Sequence, residues 1–211
     1  ALGAGTATDD CGSVTISHTD DVTDIICGTI IRTWEAKDDC GNTSTCQQTI
    51  VVEDNLAPTA PADEGITVAC PDQIVTPATP PSVIDNCGDE LLPAGPVVEG
   101  DPTCEGTKTY TWTYTDCGGN TDTYVFTYTL DLPTFPVPAP TTATVNCYDD
   151  IILPAPPTVT DACDNVLTPA GPFEGIVPDC EGTVTYFWTY TDCAGNTQDY
   201  VHTVTIDIPA F

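Results

Sequence analysis

Twelve cysteines stand in a chain of 211 residues, most of them beside an aspartate or an asparagine. Thiols and carboxylates at this density offer three kinds of chemistry: nucleophilic attack, metal ligation and disulfide closure. A nucleophile needs a base, yet the chain has only His18 and His202, and no Gly-x-Ser-x-Gly, His-Glu-x-x-His or phosphate loop. No residue reads as catalytic, and the protein is not expected to be an enzyme. Zinc wants closely spaced thiol pairs and imidazoles, and no Cys-x-x-Cys occurs. Disulfides remain, and with them an oxidising, extracellular or cell-surface setting.

The cysteines are periodic. "TYTDCGGNT" at 113–121 returns as "TYTDCAGNT" at 189–197, with a looser copy, "EAKDDCGNT", at 35–43. Cys70, Cys87, Cys104, Cys117 and Phe135 recur 76 or 77 residues later as Cys147, Cys163, Cys180, Cys193 and Phe211. Cys11, Cys27 and Cys40 precede Cys87, Cys104 and Cys117 by the same step, which implies three units: 1–58, 59–135 and 136–211. The joints "NLAPTAPAD" and "LPTFPVPAP" are Pro-rich and read as semi-rigid spacers. On this alignment His202 matches Phe126, a strand position and not a base.

The formal charge is −29, with 32 acidic residues against Arg32, Lys37 and Lys108. Such a surface repels nucleic acid and anionic membranes and attracts cations. No apolar run is long enough to span a bilayer, so no membrane insertion is expected. Ala1 reads as a processed or trimmed start. With 40% apolar residues and eight Tyr, the chain can build a core.

Elements follow from alternation. In "TYTWTYTD", Tyr110, Trp112 and Tyr114 face one way and Thr109, Thr111, Thr113 and Thr115 the other; Tyr124, Phe126, Tyr128 and Leu130 continue the apolar face after the turn. This is a hairpin whose Gly and Asn supply positive φ. Short strands and frequent Pro and Gly turns predict an all-β chain of antiparallel β-sandwiches. The Thr faces are expected to be exposed and open to O-glycans; Asn42, in Asn42-Thr43-Ser44, is the one N-glycosylation sequon.

"DNCG", "CEGT", "WTYTDCGGN" and above all "GTIIRTWEAKDDCGNTSTCQQTIVVEDNLAP" at 28–58 resemble hyalin-type (HYR) and related Ig-like repeats of bacterial, Bacteroidetes-like surface proteins. The resemblance implies tandem Ig-like modules in an extracellular, often adhesive setting, and carries over no catalytic residue. In an Ig-like strand order, Cys70 and Cys104 fall at one end of a sandwich and Cys87 and Cys117 at the other. Each end is then stapled within its own unit: Cys70–Cys104, Cys87–Cys117, Cys147–Cys180 and Cys163–Cys193. Unit 1 offers Cys11–Cys40, but the counterpart of its first strand would lie before residue 1. Cys27 and Cys46 are left either to pair with each other or to bond a strand from another chain.

Acids flank each expected staple: Asp85, Asn86, Asp116 and Asn120 in unit 2, and Asp161, Asp164, Asp192 and Asn196 in unit 3. Two readings stand for them. Asp and Asn make turns, and hard oxygens from two loops suit Ca²⁺, the one cofactor candidate. The functional expectation is a structural stalk, or a filament in which another copy adds a strand to the incomplete unit 1. A repeat clipped from a longer protein is the plain alternative. A module of a different class, an adhesin recognising glycans or other surfaces, is the competing function.

Overall fold

The structure, a computed structural model, describes residue 3, residues 5–22 and residues 27–209. Phe211, one of the periodic marks, lies outside the described residues. The described residues form strands and no α-helix. The first three strands, β1 (Val14–Val22), β2 (Thr29–Asp38) and β3 (Thr43–Val51), make one sheet in the order β1-β2-β3.

Next come β4 (Glu64–Val68), β5 (Val83–Ile84), β6 (Glu90–Leu91), β7 (Ala94–Glu99), β8 (Gly106–Thr115) and β9 (Thr121–Leu130). They form a sheet in the order β4-β9-β8-β7 and a ribbon β5-β6. The pattern repeats in β10 (Thr141–Val145), β11 (Val159–Thr160), β12 (Val166–Leu167), β13 (Ala170–Glu174), β14 (Gly182–Thr191) and β15 (Thr197–Ile206). These give the sheet β10-β15-β14-β13 and the ribbon β11-β12.

Each sheet therefore draws its strands from one of the intervals 1–58, 59–135 and 136–211. By contacts the chain groups differently, into two compact units: 1–63 with 78–97 and 111–125, and 64–77 with 98–110 and 126–211. The cuts between them run through β7, β8 and β9.

The alternation read from "TYTWTYT" is that of β8, where Tyr110, Trp112 and Tyr114 are buried. In the second unit, Val184, Tyr186, Trp188 and Tyr190 of β14 pack with Tyr200 and Val204 of β15, Val159 of β11, and Phe135. A fully buried Val of this kind contributes roughly 1.5–3 kcal/mol. The opposite face departs from expectation. Thr109, Thr111 and Thr113 are half-buried and not exposed, because β8 is a central strand flanked on both sides by neighbouring side chains. Only Thr115 is open to solvent.

Two equivalent pairings depart from an all-antiparallel sandwich. β4 runs parallel to β9, Glu64 opposite Phe126 and Val68 opposite Leu130, and β10 runs parallel to β15 in the same way. The "PAGP" motif is explained by close approach. Gly95 and Gly171 have φ of +127° and +118°, and a Cβ on either would stand 2.8 Å from a backbone oxygen of the next strand, on Thr111 and Phe187.

Candidate functional site

The repeated acidic motif builds one kind of turn five times. Asp38, Asp85, Asp116, Asp161 and Asp192 each receive a backbone N–H from the residue four positions on: Asn42, Asp89, Asn120, Asn165 and Asn196, at 2.8–2.9 Å. In all but the Asp85 turn the Asn side chain also donates to the second carboxylate oxygen, at 2.7–3.0 Å. The fourth position is left-handed, held by Gly41, Gly88, Gly119 and Gly195, and in one turn by Asp164 at φ 64°. Donation from Asn42, first through its side chain, holds the Asp38 carboxyl below the usual range.

This is the turn-making use of these residues. Both oxygens of Asp116, Asp161 and Asp192 are engaged within their own turns, by the backbone and side-chain N–H groups of Asn120, Asn165 and Asn196. Asp85 is the exception: it is buried, and its Oδ2 has no partner. The reason is chemical, since Asp89 stands where the other turns have Asn and has no amide hydrogen to donate. Asn42, the sequon residue, lies on an exposed turn with its amide on Asp38.

The cysteines of these turns do not pair as the Ig-like order implied. The bonds are Cys27–Cys117, Cys70–Cys163 and Cys104–Cys193, with Cα separations of 5.7, 5.6 and 5.8 Å. Cys70–Cys104, Cys87–Cys117, Cys163–Cys193 and Cys27–Cys46 give way to these bonds, and the members of Cys147–Cys180 and Cys11–Cys40 stay unbonded. Cys11, Cys40, Cys46, Cys87, Cys147 and Cys180 are free and exposed.

Topology gives the reason. β4 is parallel to β9, so Cys70 comes to the end where β9 leads out of its repeat. Cys104 precedes β8, the antiparallel neighbour of β9, and reaches the same outgoing end. Cys117 and Cys163 lie in turns at the incoming end of their repeats. At the two junctions the adjoining repeat presents a cysteine too, and the bond closes across the junction.

A second link accompanies the bond. Asn120 donates from its side chain to the carbonyl of Asp54, in the linker after β3, at 3.0 Å; Asn196 does the same to Leu132, after β9, at 3.3 Å. The Asp54 side chain adds contacts to the next turn, accepting from Asn86 at 3.3 Å. Gly118 keeps the approach open: a Cβ there would lie 2.3 Å from the Asp54 carbonyl oxygen. Tyrosines fix the linkers that follow, Tyr114 donating to the Pro81 carbonyl at 2.6 Å and Tyr190 to that of Pro157 at 2.5 Å. Leu132, Pro81 and Pro157 escape sequence reading because they act through backbone carbonyls alone, which no side-chain pattern marks; Asp54 adds its carboxylate but lies in the linker, outside the repeated turn.

The other titratable groups serve packing. His202 is buried in β15, its Nδ1 2.8 Å from the Thr141 hydroxyl. His18 lies against Trp34, ring centres 5.0 Å apart. Cys27, Asp54 and Cys117 come close enough to ligate a metal, but the two sulfurs are bonded to each other.

The arrangement is a set of joints between β-repeats. The model of the HYR-like domain with four cysteines matches residues 58–130 and again 135–206, and the chain belongs to that family. No curated protein sequence matches it. Among solved structures it is similar to a Clostridium perfringens ZmpB catalytic domain with CBM51 domains (11% identity, TM-score 0.28, covering 93% of this chain and 28% of that one). It is also similar to the human desmocollin-1 ectodomain (12%, 0.23, 87% and 48%) and to a Bacteroides ovatus glucan-utilisation protein, SGBP-B (15%, 0.19, 92% and 60%). The chain thus spans 28–60% of the length of these three structures. It is a tandem of disulfide-bearing Ig-like repeats of an extracellular kind, and no helix among the described residues is long and apolar enough to cross a membrane.

Proposed function

We propose that the protein is an extracellular structural element, a stiff stalk at the cell surface or a self-assembling filament, in which the acidic turns are joints and not reactive sites. One observation carries this: every closed disulfide joins one repeat to the next. Each spans 89–93 residues, a closure worth about 4–5 kcal/mol by loop entropy. A staple placed across a junction also restrains bending there, which a staple inside one module cannot do.

Assembly follows from the incomplete first sheet, to which a strand of another copy adds. Such a contact is head-to-tail and propagates. The charge of −29 opposes it unless salt or a divalent ion screens it. We place the Ca²⁺ contribution at Asp85, the one turn carboxylate with an oxygen to spare. The adhesin reading draws on Tyr148 and Phe173, exposed aromatics that both belong to the third repeat.

Electron micrographs and light scattering of the purified chain, oxidised and reduced, test the proposal. Straight particles of uniform length, lengthening into filaments in salt and becoming hinged on reduction, are expected. Flexibly hinged particles under oxidising conditions would overturn it.

A further inference from the structure

β3 is the outermost strand of its sheet. Its counterparts are not: β9 has β4 beyond it and β15 has β10, both parallel. Matching the Asp38–Asn42 turn to Asp116–Asn120 sets Trp34 on Trp112 and Cys46 on Tyr124. The cross-strand pairs agree, Trp34 facing Cys46 as Trp188 faces Tyr200. Tyr124 and Tyr200 are buried, whereas Cys46 is exposed. A groove of about 390 Å³ opens over Trp34, Ala36 and Cys46. The face that is core elsewhere is only partly covered here, by residues 5–9 along the groove, and Trp34 is half-buried.

Cys87 stands at the outgoing end of this sheet. Asp54, three residues past the end of β3, has its Oδ2 3.5 Å from the Cys87 sulfur. The turn that presents Cys87 is the turn that presents Cys163. Asp85 accepts the Cys87 N–H at 2.9 Å, Asp161 that of Cys163 at 2.8 Å, and the closing backbone bonds are both 3.0 Å. Cys163 is bonded to Cys70, two residues beyond the last residue of β4. Cys87 is presented by the same turn and has no disulfide partner.

We infer that the open edge of β3 receives the first-strand segment of another repeat of this class, parallel to β3 and ending in a cysteine that bonds Cys87. The occupant has the pattern of "EGITVAC" and "TTATVNC", β-branched residues with cysteine two positions after the last valine. Main-chain hydrogen bonds to β3 supply affinity, and side chains on alternate positions cover Trp34 and Cys46. Bond formation takes two electrons and two protons from the two thiols, which a disulfide donor accepts by exchange. This deepens the strand-addition reading above, rests on it, and names what is added.

The probe is a peptide of residues 60–72 whose cysteine is activated as a mixed disulfide with thionitrobenzoate. The Cys87 thiolate attacks the peptide sulfur, the protein–peptide disulfide forms, and thionitrobenzoate leaves with the electron pair, so no other oxidant is needed. Peptide mapping of the intact 211-residue chain should show Cys87 captured faster than by a scrambled peptide by on the order of tenfold or more, because binding holds the sulfurs together. The other free thiols should show no such preference. A Cys70→Ser version of the peptide should slow hydrogen exchange in β3 and leave β14 unchanged. Capture of Cys87 no faster than by the scrambled peptide, or equal capture at the other thiols, would overturn the inference. Filaments in micrographs beside an unselective Cys87 would overturn it and leave the proposed function standing; selective capture without filaments would do the reverse.

Discussion

The side-chain amide of Asn120 donates to the backbone carbonyl of Asp54, 66 residues earlier, at 3.0 Å. The same amide donates to Asp116 in its own turn, so one Asn closes the turn and ties it to the linker of the preceding repeat. Cys117, bonded to Cys27, sits in the same turn. The copies at 113–121 and 189–197 make both links, one copy at each junction.

Asn120→Ala should therefore cost more than a turn residue alone. It removes the donor to both Asp116 and the Asp54 carbonyl, for a loss of about 1–3 kcal/mol. Asn42→Ala, where the side chain serves only the half-buried Asp38 of its own turn, should cost about 1 kcal/mol or less. Thermal melts of the two oxidised variants decide between them; equal losses would mean that the contact with Asp54 contributes nothing.

Asp89→Asn should stabilise. It supplies the amide hydrogen that Asp85 Oδ2 lacks and removes a like charge beside a buried carboxylate, a gain of about 1 kcal/mol. The wild-type chain should melt higher in millimolar Ca²⁺, by binding to the native state, and Asp89→Asn should lose that increment. An increment of the same size in both proteins would assign the effect to charge screening.

Glu174 accepts from Tyr148 and from Tyr186 at 2.7 Å, and these bonds, the Tyr148 one first, lower its carboxyl below the usual range. A lowered acid contributes stability that is present above its unfolded pKa, about 4.3, and is lost as pH falls through the folded value. Glu174→Gln should therefore lower the melting temperature at neutral pH, and the gap should close in acid. Loss of hydration, then the Glu174 carboxylate, raises the Tyr186 phenol well above its usual range. Absorbance titration should show Tyr186 ionising earlier in Glu174→Gln than in wild type. A gap that is constant with pH would leave the carboxylate charge with no role.

Strand alternation made the aromatic faces of β8, β9, β14 and β15 legible, because period-two burial needs only local sequence. The partner of each cysteine was not, since pairing depends on which end a strand reaches. Parallel addition of β4 to β9 carries Cys70 towards the next repeat, and no residue in "ITVAC" signals that direction. The Asp–Asn turns were visible as turns, and Asp85 differs from them only through Asp89. The half-burial of Thr109, Thr111 and Thr113 depends on β7 and β9 flanking β8, a fact of sheet order.

The most direct test of junction-crossing staples is peptide mapping of the chain under non-reducing conditions, with free thiols blocked before digestion. Cross-linked peptides joining Cys27 to Cys117, Cys70 to Cys163 and Cys104 to Cys193 are expected, as is blocking agent on Cys147 and Cys180 in the monomer. Peptides joining Cys70 to Cys104 and Cys163 to Cys193 would confine every staple to its own repeat and contradict the account.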